Sequence, residues 1–187
     1  MIPQIDNKYE KFDLNKFDNS KKENQYKFQE TLPDASYLEM VRLQESRLFL
    51  TPKNSFFTIT KIYHPNLSIK QKGLGFNTNP FSFKKGIWYE FDEQGSLIKE
   101  TDYDRYYQFS FEDVLEFCKK ESIQVDKGPI LQSTGYHTTI KRNEDAEKSG
   151  GVWEIRWLKE SDVEEIIRLD GTTGKILERR EQKFINN

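Results

Sequence analysis

A chain of 187 residues holds one moderate domain or two small units sharing a core. With 29 Lys and Arg against 31 Asp and Glu, its net charge of −2 leaves no basic excess to neutralise a phosphate backbone, so no nucleic-acid partner is expected. No run of about 18 apolar residues exists to span a membrane, which predicts no membrane insertion, and Cys118 as the only cysteine excludes an internal disulfide and a cysteine-rich metal site.

Residues 1–24 are polar, rich in Lys, Asn and Asp, with isolated aromatics at Tyr9, Phe12 and Phe17. They read as an N-terminal arm, with a short helix around residues 9–17 whose rings dock on the body and a loop over 18–24. The first ten residues contain no apolar h-region and are no signal peptide, so the chain as it stands is expected in the cytoplasm. A leader removed from ahead of Met1 would make it a periplasmic lipoprotein instead.

Strand-like stretches follow at 25–30, 37–43, 47–50, 56–63 and 68–74, separated by turns at 32–36, 51–54 and 64–66. The segment 56–63 is rich in β-branched and aromatic residues, which suit a pleated, half-buried surface. Residues 77–80 lie between hairpins as an exposed loop. The chain is then organised around residues 85–100, which read as a β-hairpin. Trp88, Glu90 and Asp92 lie on one side of its first strand and Ile87, Tyr89 and Phe91 on the other. Asp92 to Gly95 forms the turn, and residues 97–100 start the return.

The clearest helical signal comes next. Ser110 is the predicted N-cap, with Asp113 three residues later as its capping-box partner and Glu112 at the positive end. Phe111, Val114, Leu115 and Cys118 recur at helical spacing and Lys119 and Lys120 close the last turn, which predicts a helix over 111–121. Beyond it the sequence predicts a strand at 135–142, a polar loop over 143–151 and an alternating strand at 152–158. A hairpin then pairs 163–169 with 175–180. The expected fold class is α+β: an antiparallel β-hairpin meander followed by one helix packed on a second antiparallel sheet. Its expected parts are the arm 1–24, a β-hairpin region 25–108 and an α+β region 109–187.

A weak internal repeat lays residues 63–70 on residues 91–98. In each, an aromatic closes a strand, four residues turn, and Ser and an aliphatic open the next strand; the period of about 28 residues is one hairpin plus its connector. The stretch 86–100 resembles the MORN-like repeat of bacterial YwqK-type antitoxin and immunity proteins, whose pattern is roughly G-x-W-x-x-Y/F-x-x-x-G-x-L-x-x-E. The earlier copy departs from it by placing Leu67 where the turn glycine is expected. The C-terminal hairpin, 166–178, looks like the closing strands of a PepSY-type module, in which a helix precedes a small antiparallel sheet. These resemblances imply inhibition or binding rather than catalysis.

The residues themselves offer little chemistry. His64 and His137, the only histidines, stand in no H-x-x-x-H or H-x-H spacing, so no metal is expected. Ser133 and Thr134 place hydroxyls near His137 without a nucleophile elbow. Cys118 falls on the apolar helix face as a core residue. No G-x-G-x-x-G or P-loop series exists, and no cofactor is expected. Trp153 and Trp157 share a strand face, which would be an interface if it is open. The carboxylates Asp92, Glu93, Glu100, Asp102 and Asp104 form an acidic run with three readings: a solvated face, a surface for a basic partner, or paired acids for general acid–base work. The preferred expectation is a non-enzymatic binding protein, in the resemblance's terms an immunity protein or antitoxin that neutralises a bacterial toxin directly. Its expected partner-binding residues are Trp88, Glu90, Asp92, Glu93, Asp102 and Asp104. The alternatives are a periplasmic or surface-attached MORN- or PepSY-like module binding envelope components, and a small hydrolase using the acidic cluster.

Overall fold

The computed structural model describes residues 2–20, 24–78, 82–130, 135–143 and 146–183. The end of the expected loop at 77–80, part of the loop at 18–24 and the Ser133 and Thr134 hydroxyls lie outside those residues. The fold is α+β and mostly strand. The chain divides into two compact units, Met1–Tyr103 with Lys127–Pro129, and Asp104–Asp126 with Ile130–Asn187.

The first unit begins with the arm and the short helix α1 (Leu14–Asn19). This helix starts later than the 9–17 stretch predicts, because Asp13 caps it by accepting from the Lys16 amide at 2.8 Å. Seven strands follow: β1 (Lys27–Thr31), β2 (Tyr37–Val41), β3 (Arg47–Thr51), β4 (Phe57–Tyr63), β5 (Ile69–Phe76), β6 (Lys84–Phe91) and β7 (Leu97–Asp102). They form one antiparallel sheet in chain order, β1 to β7, so each strand lies beside its sequence neighbour. On one face, Phe28, Leu38, Met40, Tyr63, Ile69 and Phe91 form a core with Phe12 and Phe17 of the arm. The Phe12 ring meets Tyr63 edge-on at 5.3 Å, a favoured aromatic geometry.

The internal repeat is a feature of the backbone, and among the described residues it occurs three times. In the turns β1–β2, β4–β5 and β6–β7 the same pair of hydrogen bonds recurs. The amides of Leu32, His64 and Asp92 donate to the carbonyls of Ser36, Ser68 and Ser96, and those of Ala35, Leu67 and Gly95 donate back to Leu32, His64 and Asp92. Ala35, Leu67 and Gly95 accordingly share a positive φ of 62°, 68° and 90°. Only glycine adopts that region without cost, so the sequence shows the third copy plainly, the second with Leu67 as a departure, and hides the first as a copy. The last two hairpins also share a bulge, Ile62 and Tyr63 facing Gln71 and Ile69 just as Glu90 and Phe91 face Lys99 and Leu97.

The second unit contains α2 (Phe111–Lys120), β8 (Thr139–Arg142), the short α3 (Ala146–Ser149), β9 (Val152–Glu160), β10 (Val163–Asp170) and β11 (Ile176–Lys183). The strands form an antiparallel sheet in the order β11-β10-β9-β8. The capping box at Ser110 and Asp113 is present, and Phe111, Val114 and Cys118 are buried. Phe111 packs on Trp153 with ring centroids 6.3 Å apart, which places α2 against the sheet. The strand expected from 135 begins only at Thr139, and the loop expected over 143–151 carries α3. Trp153 is fully buried, its indole N–H donating to the Phe109 carbonyl at 2.8 Å, so its strand face is closed core at that point.

Candidate interaction surface on the last hairpin of the first unit

The six residues expected at a partner surface fall into different environments. Trp88 is fully buried, which corrects its assignment as a contact. Its indole lies against Gly73 on β5, where an added Cβ would come within 2.3 Å of the ring. The indole N–H donates to the Leu74 carbonyl at 3.0 Å, and the Lys84 ammonium stands 4.1 Å over the ring. Trp88 therefore anchors the hairpin to the sheet; it does not present it to a partner. Asp104 belongs to the second unit, where it pairs with Arg142 at 2.8 Å. That guanidinium stacks over Tyr107 and Trp153, which makes Asp104 part of a local structural cluster.

Glu90, Asp92, Glu93 and Asp102 remain on the β6–β7 hairpin. Glu90 faces Lys99 across the strands and pairs with it at 3.7 Å. The Asp92 carboxylate accepts from the Ser96 amide at 2.8 Å and closes the turn. Glu93 holds the turn through its backbone, its carbonyl accepting from Asn66 and Ser68 of the neighbouring turn at 3.0 and 3.2 Å. The His64 ring lies 2.9 Å from the Phe91 carbonyl. The hairpin tip is thus braced by the turn before it, and an open hollow of about 390 Å³ between the two is lined by His64, Lys70, Glu90, Phe91, Asp92 and Glu93 among others.

The outward surface of the hairpin carries residues that the acidic reading passed over. Ile87, Leu97 and Ile98 are 45%, 40% and 63% exposed. Ile87 faces Asp102 and Tyr89 faces Glu100 across the ladder, so one face combines aliphatic, phenol and carboxylate groups. An apolar pair opening a return strand ordinarily points to a core, and here it does not. The informative sign was the unbroken polar run after them, Lys99 to Asp102.

Two further clusters were invisible in the sequence. On β5, directly opposite Tyr89, the buried Lys72 ammonium reaches the arm and bonds Asp6 at 3.0 Å, Glu10 at 3.0 Å and the Lys8 carbonyl at 2.6 Å, while Lys61 pairs with the same Glu10. That bond from Lys72 is the chief reason the Asp6 carboxyl sits below its ordinary pKa. These groups rim a cavity of about 770 Å³ floored by Leu38, Met40, Leu48 and Leu50. In the second unit His137 Nδ1 lies 2.7 Å from Asp126, whose carboxyl is held low first by a hydrogen bond from Gln124 and then by His137. Tyr136 donates to Glu164 at 2.7 Å. Among the described residues no group of three or more His, Cys, Asp or Glu is placed to hold a metal ion, and no helix is long and apolar enough to cross a membrane.

Comparison with family models, with curated proteins and with solved structures returns no match.

Proposed function

We propose that this chain is a non-enzymatic binding protein whose β6–β7 hairpin engages a protein partner. One observation carries the reading: three exposed aliphatics, Ile87, Leu97 and Ile98, stand beside Glu100 and Asp102 on a hairpin anchored by Trp88 and braced by His64, Asn66 and Ser68. Apolar side chains in a setting of like charge favour a partner that offers apolar contact ringed by basic groups. A braced hairpin loses little conformational freedom on docking, which favours affinity. In the terms of the family resemblance, the partner is a bacterial toxin, and the hairpin neutralises it by covering its active site.

The test is a pull-down with the tagged protein from the cells that naturally make it, followed by mass spectrometry. A stoichiometric protein that stays with wild type and is lost with Ile98→Lys supports the reading. Recovery of no stoichiometric protein, or of one that Ile98→Lys retains fully, contradicts it.

A further inference from the structure

The exposed aliphatics explain why a partner comes to this hairpin; the backbone of β7 indicates how it is held. β7 is the last strand of its sheet, and its residues are exposed apart from the half-buried Thr101. Among the described residues it pairs with β6 alone, so alternate N–H and C=O groups along its outer side point away from the sheet. Such an edge invites a further strand, and the question is whose.

A second copy of this chain is a poor candidate on charge. Two β7 strands that continue one sheet about a two-fold axis run antiparallel with faces preserved, and directly opposed residues share a face. The axis therefore passes through a residue and not between two. Centred on Lys99 it sets Lys99 against Lys99; centred on Glu100 it sets Glu100 against Glu100; centred on Thr101 it sets Glu100 against Asp102 twice. Each arrangement places like charges directly opposite, which is unfavourable. The bulge that skips Ile98 in the pairing with β6 interrupts regular geometry at the other end of the strand.

The same charges select a different occupant. Glu100 and Asp102 lie opposite Tyr89 and Ile87 and so share a face two residues apart. A strand laid beside β7 meets them with its own alternate residues, and meets exposed Ile98 near the end. We infer that β7 receives an extended segment of the protein partner by strand addition, the segment carrying basic residues opposite Glu100 and Asp102 and an apolar residue near Ile98. Main-chain hydrogen bonds then supply attachment, and the alternate basic positions supply selectivity. This rests on the reading of the hairpin as the partner-binding surface and specifies the chemistry of the partner.

The test uses the full chain and a capped synthetic peptide, Thr-Lys-Thr-Lys-Thr-Val-Thr, titrated while backbone amide resonances are followed. Shifts and slowed hydrogen exchange confined to β7 are expected. The peptide with Glu in place of both Lys should not bind, and the surface variant Glu100→Lys/Asp102→Lys should weaken binding by roughly tenfold or more. Methylating one alternate set of peptide amides should abolish binding while methylating the other set leaves it intact, since a strand uses only one edge. Equal binding by both methylated peptides would show attraction by charge alone and overturn the inference, as would a titration that leaves β7 unmoved. Either failure leaves the pull-down result standing, whereas a positive titration with an empty pull-down would leave the edge competent and remove the proposed partner function.

Discussion

At Gly73 a hydrogen in place of a methyl group decides whether Trp88 can lie flat on the sheet. A Cβ there would sit 2.3 to 2.4 Å from three atoms of the indole, and the ring cannot retreat without losing its bond to the Leu74 carbonyl. Gly73→Ala is expected to destabilise the protein by about 2 kcal/mol through overpacking, measured as a lowered urea midpoint; an unchanged midpoint would show that the indole has room to move. Cys118 gives a second residue-scale test. Burial pushes its thiol up to about 12, so at pH 8 the group is a neutral core side chain and not a thiolate. The native protein should resist iodoacetamide at that pH and react once unfolded in guanidinium, and rapid labelling of the native state would contradict its placement. Cys118 was readable from helical spacing alone. Trp88 was not: its position on the strand was clear, but which face of the strand is closed depends on a glycine fifteen residues away in the neighbouring strand.

At the scale of elements, the three matching turns make a graded prediction. Ala35 and Gly95 occupy the same place in the same hydrogen-bonded turn, both with positive φ. An L-residue pays a steric cost there that glycine avoids, so Ala35→Gly should raise stability by about 0.5–1 kcal/mol, against the usual direction of that substitution in a strand or helix. A loss of stability on thermal unfolding would show that the turn is relaxed with alanine in it. The sequence places all three turns but shows only two of them as copies of one pattern, with Leu67 as an anomaly, because the usual signature is a glycine; the constraint that matters is backbone conformation, and a non-glycine residue can be forced into it by the strands on either side. The arm supplies the other test at this scale. The Lys72 ammonium holds the Asp6 carboxyl below its ordinary value of 3.8, so the contribution of this contact is fully present above that value and is lost as pH falls through the depressed one. Asp6→Asn should therefore be less stable than wild type at pH 7, with the gap closing as the solution is acidified below about 4. A gap that widens on acidification would contradict the pairing. No local pattern foretold this contact, since it joins residues 66 positions apart in the sequence.

At the scale of the whole molecule, the α+β character, the meander, the single well-capped helix and the closing four-stranded sheet were legible from periodicity, turn residues and caps. The division of labour among the acidic residues was not. Composition makes every carboxylate near the hairpin look alike, but the structure separates them: Asp92 closes a turn, Glu90 meets Lys99, Asp104 holds Arg142, and Asp102 lies opposite exposed Ile87 with Glu100 two residues along on the same face. The most direct measurement of the central claim is hydrogen–deuterium exchange on the protein alone and in complex with the partner recovered from its own cells. The account predicts that protection appears across residues 87–102 and is greatest along β7, with the second unit's exchange unchanged. Protection confined to other segments, with β7 exchanging as fast in the complex as alone, would contradict it.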